Sequence, residues 1–233
     1  MRRRIKKGYI VAIDGPAGAG KSTVSRLLAL ELSGRLLDTG AMYRSVAYYA
    51  SHKNITTATG FSKIARELTF GYDAKNQSLL VNGQELGQRL RTQRVSGLAS
   101  KVSAFKGVRQ TLTACQRKLA KAWAQDCPVI VEGRDIGTVV FPKVDYKFYV
   151  TADPKVRAER RYQQLKKQGS KGISLKAILK ANIDRDKQDS GRKHAPLKCA
   201  EDAIVVDTSK MSINQVVQFM TEHIKGRISL VGE

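Results

Sequence analysis

The chain has 233 residues, of which 42 are lysine or arginine and 20 are aspartate or glutamate, so its formal net charge is +22. No apolar run approaches the roughly 18 residues of a membrane-spanning helix, and the basic first seven residues lack the apolar stretch of a secretion signal. The composition therefore predicts a soluble, cytoplasmic protein with no membrane partner, and nothing indicates more than a monomer. The charge favours a nucleotide or a nucleic acid as ligand, but it is spread along the whole chain, so nucleic-acid binding is not the favoured reading.

Cysteine usage limits the chemistry further. Cys115, Cys127 and Cys199 are far apart in the sequence, and none has the short spacing of a metal-binding pair. This pattern indicates neither a zinc site nor a disulfide framework, and it agrees with a reducing compartment.

The first motif in the chain is a glycine-rich loop at residues 15–22, with the letters GPAGAGKS. It follows an apolar run at residues 9–13 and precedes a helical pattern at residues 22–32. In that context the letters predict a phosphate-binding loop, because glycines let backbone N–H groups turn towards an anion at a helix start. We expect Lys21 to reach the outer phosphates and the Ser22 hydroxyl to hold Mg²⁺. The predicted phosphate-binding residues are Gly15, Pro16, Ala17, Gly18, Ala19, Gly20, Lys21, Ser22 and Thr23.

A second strand and helix follow the loop. Ser33 and Gly34 end the first helix, and residues 36–37 predict a short buried strand. Asp38, Thr39 and Gly40 stand at the end of that strand, and residues 41–51 predict a helix. The first fifty residues therefore predict one parallel β–loop–α–β–α unit.

The composition changes near Asn54. Residues 56–60 resemble a linker, residues 61–68 predict a short helix, and residues 68–72 and 79–81 predict two strands. Asn82 and Gly83 are a strong turn signal for a further short strand. We therefore expect a small antiparallel insert, followed by helices at residues 94–105 and 108–125.

The second half of the chain returns to alternating strands and helices. Apolar runs at residues 128–131, 145–150 and 203–206 predict core strands, and helical patterns follow Asp153-Pro154 and occupy residues 175–186 and 213–228. The sequence thus predicts an α/β fold with a doubly wound, five-stranded parallel sheet. Because such sheets bind ligands at the carboxyl ends of their strands, residues 132–135 (EGRD) join the loop and Asp38-Thr39-Gly40 as candidate site segments.

Four blocks of this sequence together resemble the bacterial cytidylate kinases, which are P-loop nucleoside monophosphate kinases. They are the loop DGPAGAGKS at residues 14–22, DTGAMYR at residues 38–44, EGRDIGTVVFP at residues 132–142, and RD-x-x-D-x-x-R at residues 185–192 followed by APL at residues 195–197. The loop occurs in many P-loop proteins, whereas the third block is much more specific. The resemblance runs from about residue 10 to the end of the chain.

The resemblance implies an enzyme that transfers the γ-phosphoryl group of ATP, with Mg²⁺, to CMP or dCMP. It also implies a three-part body. Residues 1–38, 111–155 and 176–233 would form the core, residues 39–110 the acceptor-binding region with its insert, and residues 156–175 a short lid.

The resemblance also assigns residues to roles. Lys21, Arg134, Arg157, Arg161 and Arg192 would act on the transferring phosphoryl group, with Arg157 and Arg161 arriving as the lid closes. Asp135 would accept from the cytosine N4 amino group, which uracil lacks, and Arg109 and Ser100 would complete that contact. Arg185 and Asp189 would lie near the ribose. The whole predicted CMP-binding set is Thr39, Arg44, Ser100, Arg109, Arg134, Asp135, Arg185, Asp189 and Arg192.

Three alternatives remain open at this point. Residues 36–41 (LLDTGA) and the later Gly-Arg-Asp also resemble the active-site segments of retroviral-type aspartic proteases, whose fold is all-β. The chain could instead be a P-loop kinase with a different small-molecule acceptor. A non-catalytic, basic, RNA-binding P-loop protein is the third reading.

Overall fold

A computed structural model describes residues 8–167, 169 and 172–231, with only the backbone of residues 228–231. The basic first seven residues, residues 168, 170 and 171 of the predicted lid, and the last two residues lie outside that description.

The strands are β1 (Ile10–Asp14), β2 (Arg35–Asp38), β3 (Phe70–Asp73), β4 (Ser78–Val81), β5 (Gln84–Glu85), β6 (Val129–Glu132), β7 (Tyr146–Thr151) and β8 (Ile204–Asp207). The helices are α1 (Lys21–Glu31), α2 (Thr39–His52), α3 (Ala58–Glu67), α4 (Gln93–Val102), α5 (Lys106–Trp123), α6 (Pro154–Lys167), α7 (Leu175–Ser190) and α8 (Ile213–Val231).

Five strands form the central sheet in the order β2-β6-β1-β7-β8, and every neighbouring pair is parallel. Val11 of the middle strand β1 is in register with Ile130 on one side and Tyr146 on the other. The predicted doubly wound five-stranded sheet is therefore confirmed. Strands β3, β4 and β5 form the predicted small antiparallel sheet in the insert.

The central sheet buries both of its faces, as a parallel sheet must. Val11 and Ile13 of β1 point into a cluster with Leu28 of α1 and Met220 of α8. The neighbouring Ala12 points to the opposite face, in a cluster that α2, α3 and α5 cover. Helices therefore enclose the sheet, and the carboxyl ends of its strands remain as the edge where side chains can meet a ligand.

One local prediction is wrong. Residues 56–60 are not a linker, because Thr57 accepts a hydrogen bond from Gly60 N through its hydroxyl at 3.2 Å and α3 begins at Ala58. Threonine followed by small residues is a helix cap as well as a linker signal, and only packing of Phe61 and Ile64 in the core separates the two readings.

A π-helical turn at Ile136–Val140 follows β6 and was not predicted. The buried Asp14 carboxylate accepts from Ile136 N at 2.9 Å and from Gly137 N at 2.7 Å, and so holds the start of the turn. Arg117 of α5 donates to the carbonyls at its end, with distances of 2.8 Å to the oxygens of Val139 and Val140. Side chains distant in sequence thus satisfy the first N–H groups and the last carbonyls of the turn, which have no partner within a helix. A short 3₁₀ helix at residues 87–91 was also not predicted.

In the described part of the chain, no helix combines the length and apolar character that crossing a membrane requires.

Candidate active site

The glycine-rich loop joins β1 to α1 at the carboxyl edge of the sheet. Gly18 and Gly20 have φ angles of 76° and 87°, a region that favours glycine, and Gly20 is the N-cap of α1. A Cβ atom on Gly15 would lie 1.9 Å from the Val150 carbonyl oxygen, so only glycine fits between the loop and β7. The backbone therefore curls at the start of α1, where free N–H groups and the helix dipole favour an anion.

The side chains of the loop divide into buried and accessible ones. Ala17 and Ala19 are buried, whereas Gly18 and Thr23 are exposed. Lys21 is 4% exposed and its Nζ donates to the Pro16 carbonyl at 2.7 Å. Burial, reinforced by the nearby charge of Arg134, lowers the pKa of Lys21 to about 7. A buried amine held over the loop in this way is positioned to meet phosphate oxygens.

Ser22 and Glu132 form a pair that fits a magnesium ion. The Ser22 hydroxyl donates to Glu132 Oε1 at 2.8 Å. Glu132 Oε2 is buried and has no hydrogen-bond partner among the residues that the structure describes. Burial and then the charge of Asp38 raise the pKa of Glu132. A hydroxyl and an unsatisfied carboxylate beside a phosphate loop suit Mg²⁺, which takes few protein oxygens and completes its shell with phosphate and water.

Asp38 and Thr39 connect β2 to the start of α2 at the same edge of the sheet. Asp38 caps α2 by accepting from Ala41 N at 2.8 Å, and its second oxygen accepts from Arg44 Nη2 at 2.8 Å. The Thr39 hydroxyl donates to the Glu132 carbonyl at 2.7 Å. This geometry contradicts the aspartic protease reading, because Asp38 ends a parallel strand and caps a helix.

Asp189 of α7 gathers three of the predicted arginines. Its side chain is 1% exposed, and Arg134 Nε donates to Oδ2 at 3.1 Å. Arg192 pairs with Oδ1, and Arg185 Nε lies 4.0 Å from Oδ2. One buried carboxylate therefore brings three guanidinium groups together, an arrangement suited to a phosphate or another anion.

Arg109 and Asp135, the predicted cytosine contacts, are bound to each other. Arg109 Nη2 donates to Asp135 Oδ2, and both side chains are buried. Arg109 Nη1 also donates to the Ser103 carbonyl at 3.2 Å, and its guanidinium lies 5.6 Å from the ring centre of Tyr43. Burial raises the pKa of Asp135, while Arg109 acts in the opposite direction.

The remaining predicted residues lie at different distances from this centre. Ser100 donates to Gln188 Oε1 at 2.9 Å, which ties α4 to α7. Arg157 is buried and donates to the Ala17 carbonyl at 2.9 Å, so it is already part of the loop's surroundings. Arg161 instead donates to Gln164 of its own helix at 2.7 Å. The structure therefore places Arg157 at the loop and, among the described contacts, does not bring Arg161 there.

Sequence reasoning assigned no role to four residues that support the site. Asp14 holds the π-helical turn, and burial raises its pKa to about 6. Asp186 accepts from Ala17 N at 3.2 Å. Arg160 donates to the Thr208 hydroxyl and carbonyl at 2.9 Å and 2.6 Å, and Thr208 is the fourth residue, because its hydroxyl donates to a loop carbonyl at 3.4 Å. Asp14 and Asp186 lie inside the sequence blocks that resemble the cytidylate kinases, so their position could have indicated a role in the site. Nothing in the local sequence around Thr208 indicates a contact with the loop.

A phosphate loop that faces converging arginines at the carboxyl edge of a parallel sheet defines the class of protein, a P-loop phosphotransferase. The family model described as cytidylate kinase matches residues 11–226. The chain belongs to the cytidylate kinase family and is an enzyme of that kind.

Curated relatives support the same assignment. A cytidylate kinase from Citrifermentans bemidjiense is 42% identical over 228 residues, with 96% of both chains covered. One from Clostridium tetani is 41% identical over 221 residues and covers 94% of this chain and 95% of its own. One from Thermosipho melanesiensis is 40% identical over 220 residues and covers 94% and 98%. The similarity therefore extends over nearly the whole chain and is not confined to the phosphate loop.

Proposed function

We propose that this enzyme phosphorylates CMP and dCMP to the diphosphates, with ATP as phosphoryl donor and direct in-line transfer between the two nucleotides. The observation that carries the proposal is the position of Glu132. Its carboxylate accepts from Ser22 of the donor loop at 2.8 Å, and its carbonyl accepts from Thr39 of the acceptor side at 2.7 Å. One residue thus joins the two halves of a phosphoryl-transfer site.

The donor half consists of the loop and Lys21. The loop N–H groups would bind the phosphates of ATP, and Lys21 would contact the β- and γ-phosphates. Ser22 and Glu132 would hold Mg²⁺, directly or through water. The bound ion supplies positive charge that neutralises the transferring phosphoryl group.

The acceptor half consists of Thr39 and the arginines. Arg44, Arg134 and Arg192 would bind the CMP phosphate and the transferring group, because guanidinium groups pair with phosphate through two donors each. Asp38 and Asp189 hold these arginines in place by ion pairs. The transfer needs little covalent participation by the protein, so preorganised positive charge would supply most of the catalysis.

Cytosine recognition would fall to Asp135, Arg109 and Ser100. A carboxylate accepts from the N4 amino group of cytosine and would oppose the O4 acceptor of uracil, while Arg109 would donate to the cytosine acceptors. Arg185 and Asp189 would lie near the sugar. The ion pairs of Asp189 favour an orienting role for this carboxylate over a direct sugar contact.

Closure would complete the site. Residues 39–110 would carry the acceptor, and residues 156–175 would cover ATP as a lid with Arg157 and Arg161, over a core of residues 1–38, 111–155 and 176–233. Arg157 already contacts the loop in this structure, so Arg161 is the residue whose role depends on a movement of α6. The enzyme would work as a cytoplasmic monomer without a membrane partner, and nucleic-acid binding is not the favoured use of its positive charge.

An ADP-release assay with CMP, dCMP, UMP and AMP tests the proposal. We expect turnover with CMP and dCMP at least about 100-fold more efficient than with UMP, because a mispaired polar edge is strongly rejected. Equal turnover of UMP would contradict the role of Asp135. Absence of turnover with every monophosphate would contradict the kinase activity itself.

A further inference from the structure

Asp186 of α7 accepts hydrogen bonds from two donors at the phosphate loop. Its Oδ1 accepts from Ala17 N, a loop amide, at 3.2 Å, and its Oδ2 accepts from Arg157 Nη1 at 2.5 Å. An amide of the phosphate loop and a guanidinium beside it are the kind of donors that hold a nucleotide phosphate. The Asp186 side chain is 20% exposed, so it is in contact with solvent while it accepts from both donors.

A second polar side chain of α7 lies against the same part of the loop. Asn182 lies one turn before Asp186 on α7, and its Nδ2 atom lies 3.7 Å from where a Cβ on Gly18 would be. That nitrogen is buried without a hydrogen-bond partner in the part of the chain that the structure describes. A donor that has no protein acceptor and lies beside a phosphate loop is available to an oxygen of a bound phosphate.

We infer that Asp186 is an internal substitute for a donor phosphate: its carboxylate holds the Ala17 amide and Arg157 in the empty enzyme, and ATP displaces it. This inference rests on the proposed function, in which ATP binds the loop. On binding, a phosphate oxygen takes over the Ala17 N–H and another takes over the Arg157 guanidinium, while the Asn182 amide gains an acceptor. Asp186 returns to water, and no covalent bond changes.

The arrangement explains why a negatively charged residue stands beside an anion site. Without Asp186 or a phosphate, Ala17 N would lose its acceptor, and the buried Arg157 guanidinium would keep only the Ala17 and Ala152 carbonyls, with no counter-charge from Asp186. A carboxylate satisfies both and keeps the loop in its binding conformation, but it must compete with the triphosphate. A residue that only orients Arg157 would stay in place when ATP binds, and the two readings predict opposite effects of its removal.

The test is equilibrium binding of MgATP, without CMP, to wild type and to Asp186→Asn. Asparagine keeps an acceptor for Ala17 N but lacks the charge, so we expect ATP to bind about tenfold more tightly. Asp184→Asn is the matched control, because Asp184 is an exposed aspartate of the same helix, and it should leave the affinity unchanged. Unchanged or weaker ATP binding by Asp186→Asn would overturn the inference.

A measurement on the wild type removes any dependence on how well the variant folds. The ¹³Cγ chemical shift of Asp186, followed by NMR, should move on saturation with MgATP towards the value of a solvated aspartate. A shift that stays constant would overturn displacement. Wild type that binds no ATP would overturn both the donor assignment and this inference, whereas wild-type binding without tightening in Asp186→Asn would overturn the inference alone.

Discussion

Arg109 and Asp135 are buried against each other, with Arg109 Nη2 donating to Asp135 Oδ2 and each side chain only 7% exposed. Both are proposed to contact the cytosine ring. They are therefore paired in the absence of a base. A bound cytosine must either form further hydrogen bonds with the intact pair or replace part of the contact between its members. The pair links base recognition to the stability of the fold, because water cannot solvate either buried charge if its partner is removed.

Replacing Asp135 with Asn should destabilise the protein by about 3 kcal/mol, because it leaves the Arg109 guanidinium buried without a counter-charge. Urea unfolding of the ligand-free protein measures this. Asp145→Asn removes an exposed aspartate elsewhere and should change the free energy of unfolding by less than about 0.5 kcal/mol. Equal stabilities of the two variants would show that the Arg109–Asp135 pair contributes little.

The same Asp135 substitution should alter selectivity. The KM for CMP should rise by about tenfold to 100-fold, and the preference for CMP over UMP should fall by a similar factor, because the amide no longer opposes the uracil O4 acceptor. Initial rates with both monophosphates measure the ratio. An intact CMP preference in the folded variant would contradict a role of Asp135 in base choice.

Lys21 should be required for turnover and should also lower the stability of the folded protein. Burial lowers its pKa to about 7, so in the empty enzyme the charged amine is destabilising at pH values below its unfolded pKa. Lys21→Met should therefore abolish turnover, by more than about 1,000-fold, and yet raise the melting temperature by about 2–4 °C, which is roughly 1 kcal/mol.

The pH dependence of the stability gain in Lys21→Met tests whether the lysine charge causes it. The gain from Lys21→Met should be largest below about pH 7 and should fade as the pH rises towards the unfolded pKa near 10.4, where both states lose the proton. Melting curves of both proteins from pH 6 to pH 9 follow it. A gain that does not decrease with pH would show that the lysine charge is not its origin.

Asp189 should act as the organiser of the acceptor arginines. Its carboxylate lies between Arg134, Arg185 and Arg192, so Asp189→Asn should lower kcat/KM by about 100-fold for CMP and dCMP alike. A direct sugar contact would instead lower the rates of the two substrates unequally. Asp184→Asn on the same helix should leave both values within about twofold.

The sequence was sufficient for the parts of the fold that depend on local patterns. Apolar runs located every central strand, and the Asn82-Gly83 turn located the antiparallel insert. The strand ends then placed the loop, Asp38 and Glu132 at one edge, because parallel strands share the direction of their carboxyl ends.

Partners distant in sequence could not be read from those patterns. The π-helical turn depends on Asp14, which is 122 residues away from Ile136, and on Arg117. The bond from Ala17 to Asp186 crosses 169 residues. The first set joins β1 and α5 to the turn, and the second joins α7 to the loop, so these contacts arise from tertiary packing that no periodicity in the chain encodes. The sequence also does not reveal that Arg109 and Asp135, 26 residues apart, neutralise each other.

Glu132 should connect metal binding to turnover. Glu132→Gln keeps an acceptor for the Ser22 hydroxyl but removes the charge, so the Mg²⁺ concentration for half-maximal activity should rise by about tenfold and kcat should fall by at least that factor. Magnesium titrations of the ADP-release rate measure both. Glu67→Gln, which neutralises a more exposed carboxylate at the end of α3, is the matched control and should have no effect.

The pH dependence of activity tests whether the charge of Glu132, and not only its packing, supports metal binding. Burial and Asp38 raise the pKa of Glu132, so it takes up a proton at a higher pH than a solvated glutamate and loses the charge that the metal needs. Wild-type activity at low Mg²⁺ should therefore fall as the pH drops through that raised pKa, and higher Mg²⁺ should move the fall to lower pH. This loss of activity at acidic pH should be missing from Glu132→Gln, since its amide does not titrate. An identical loss in both enzymes would show that another group causes it.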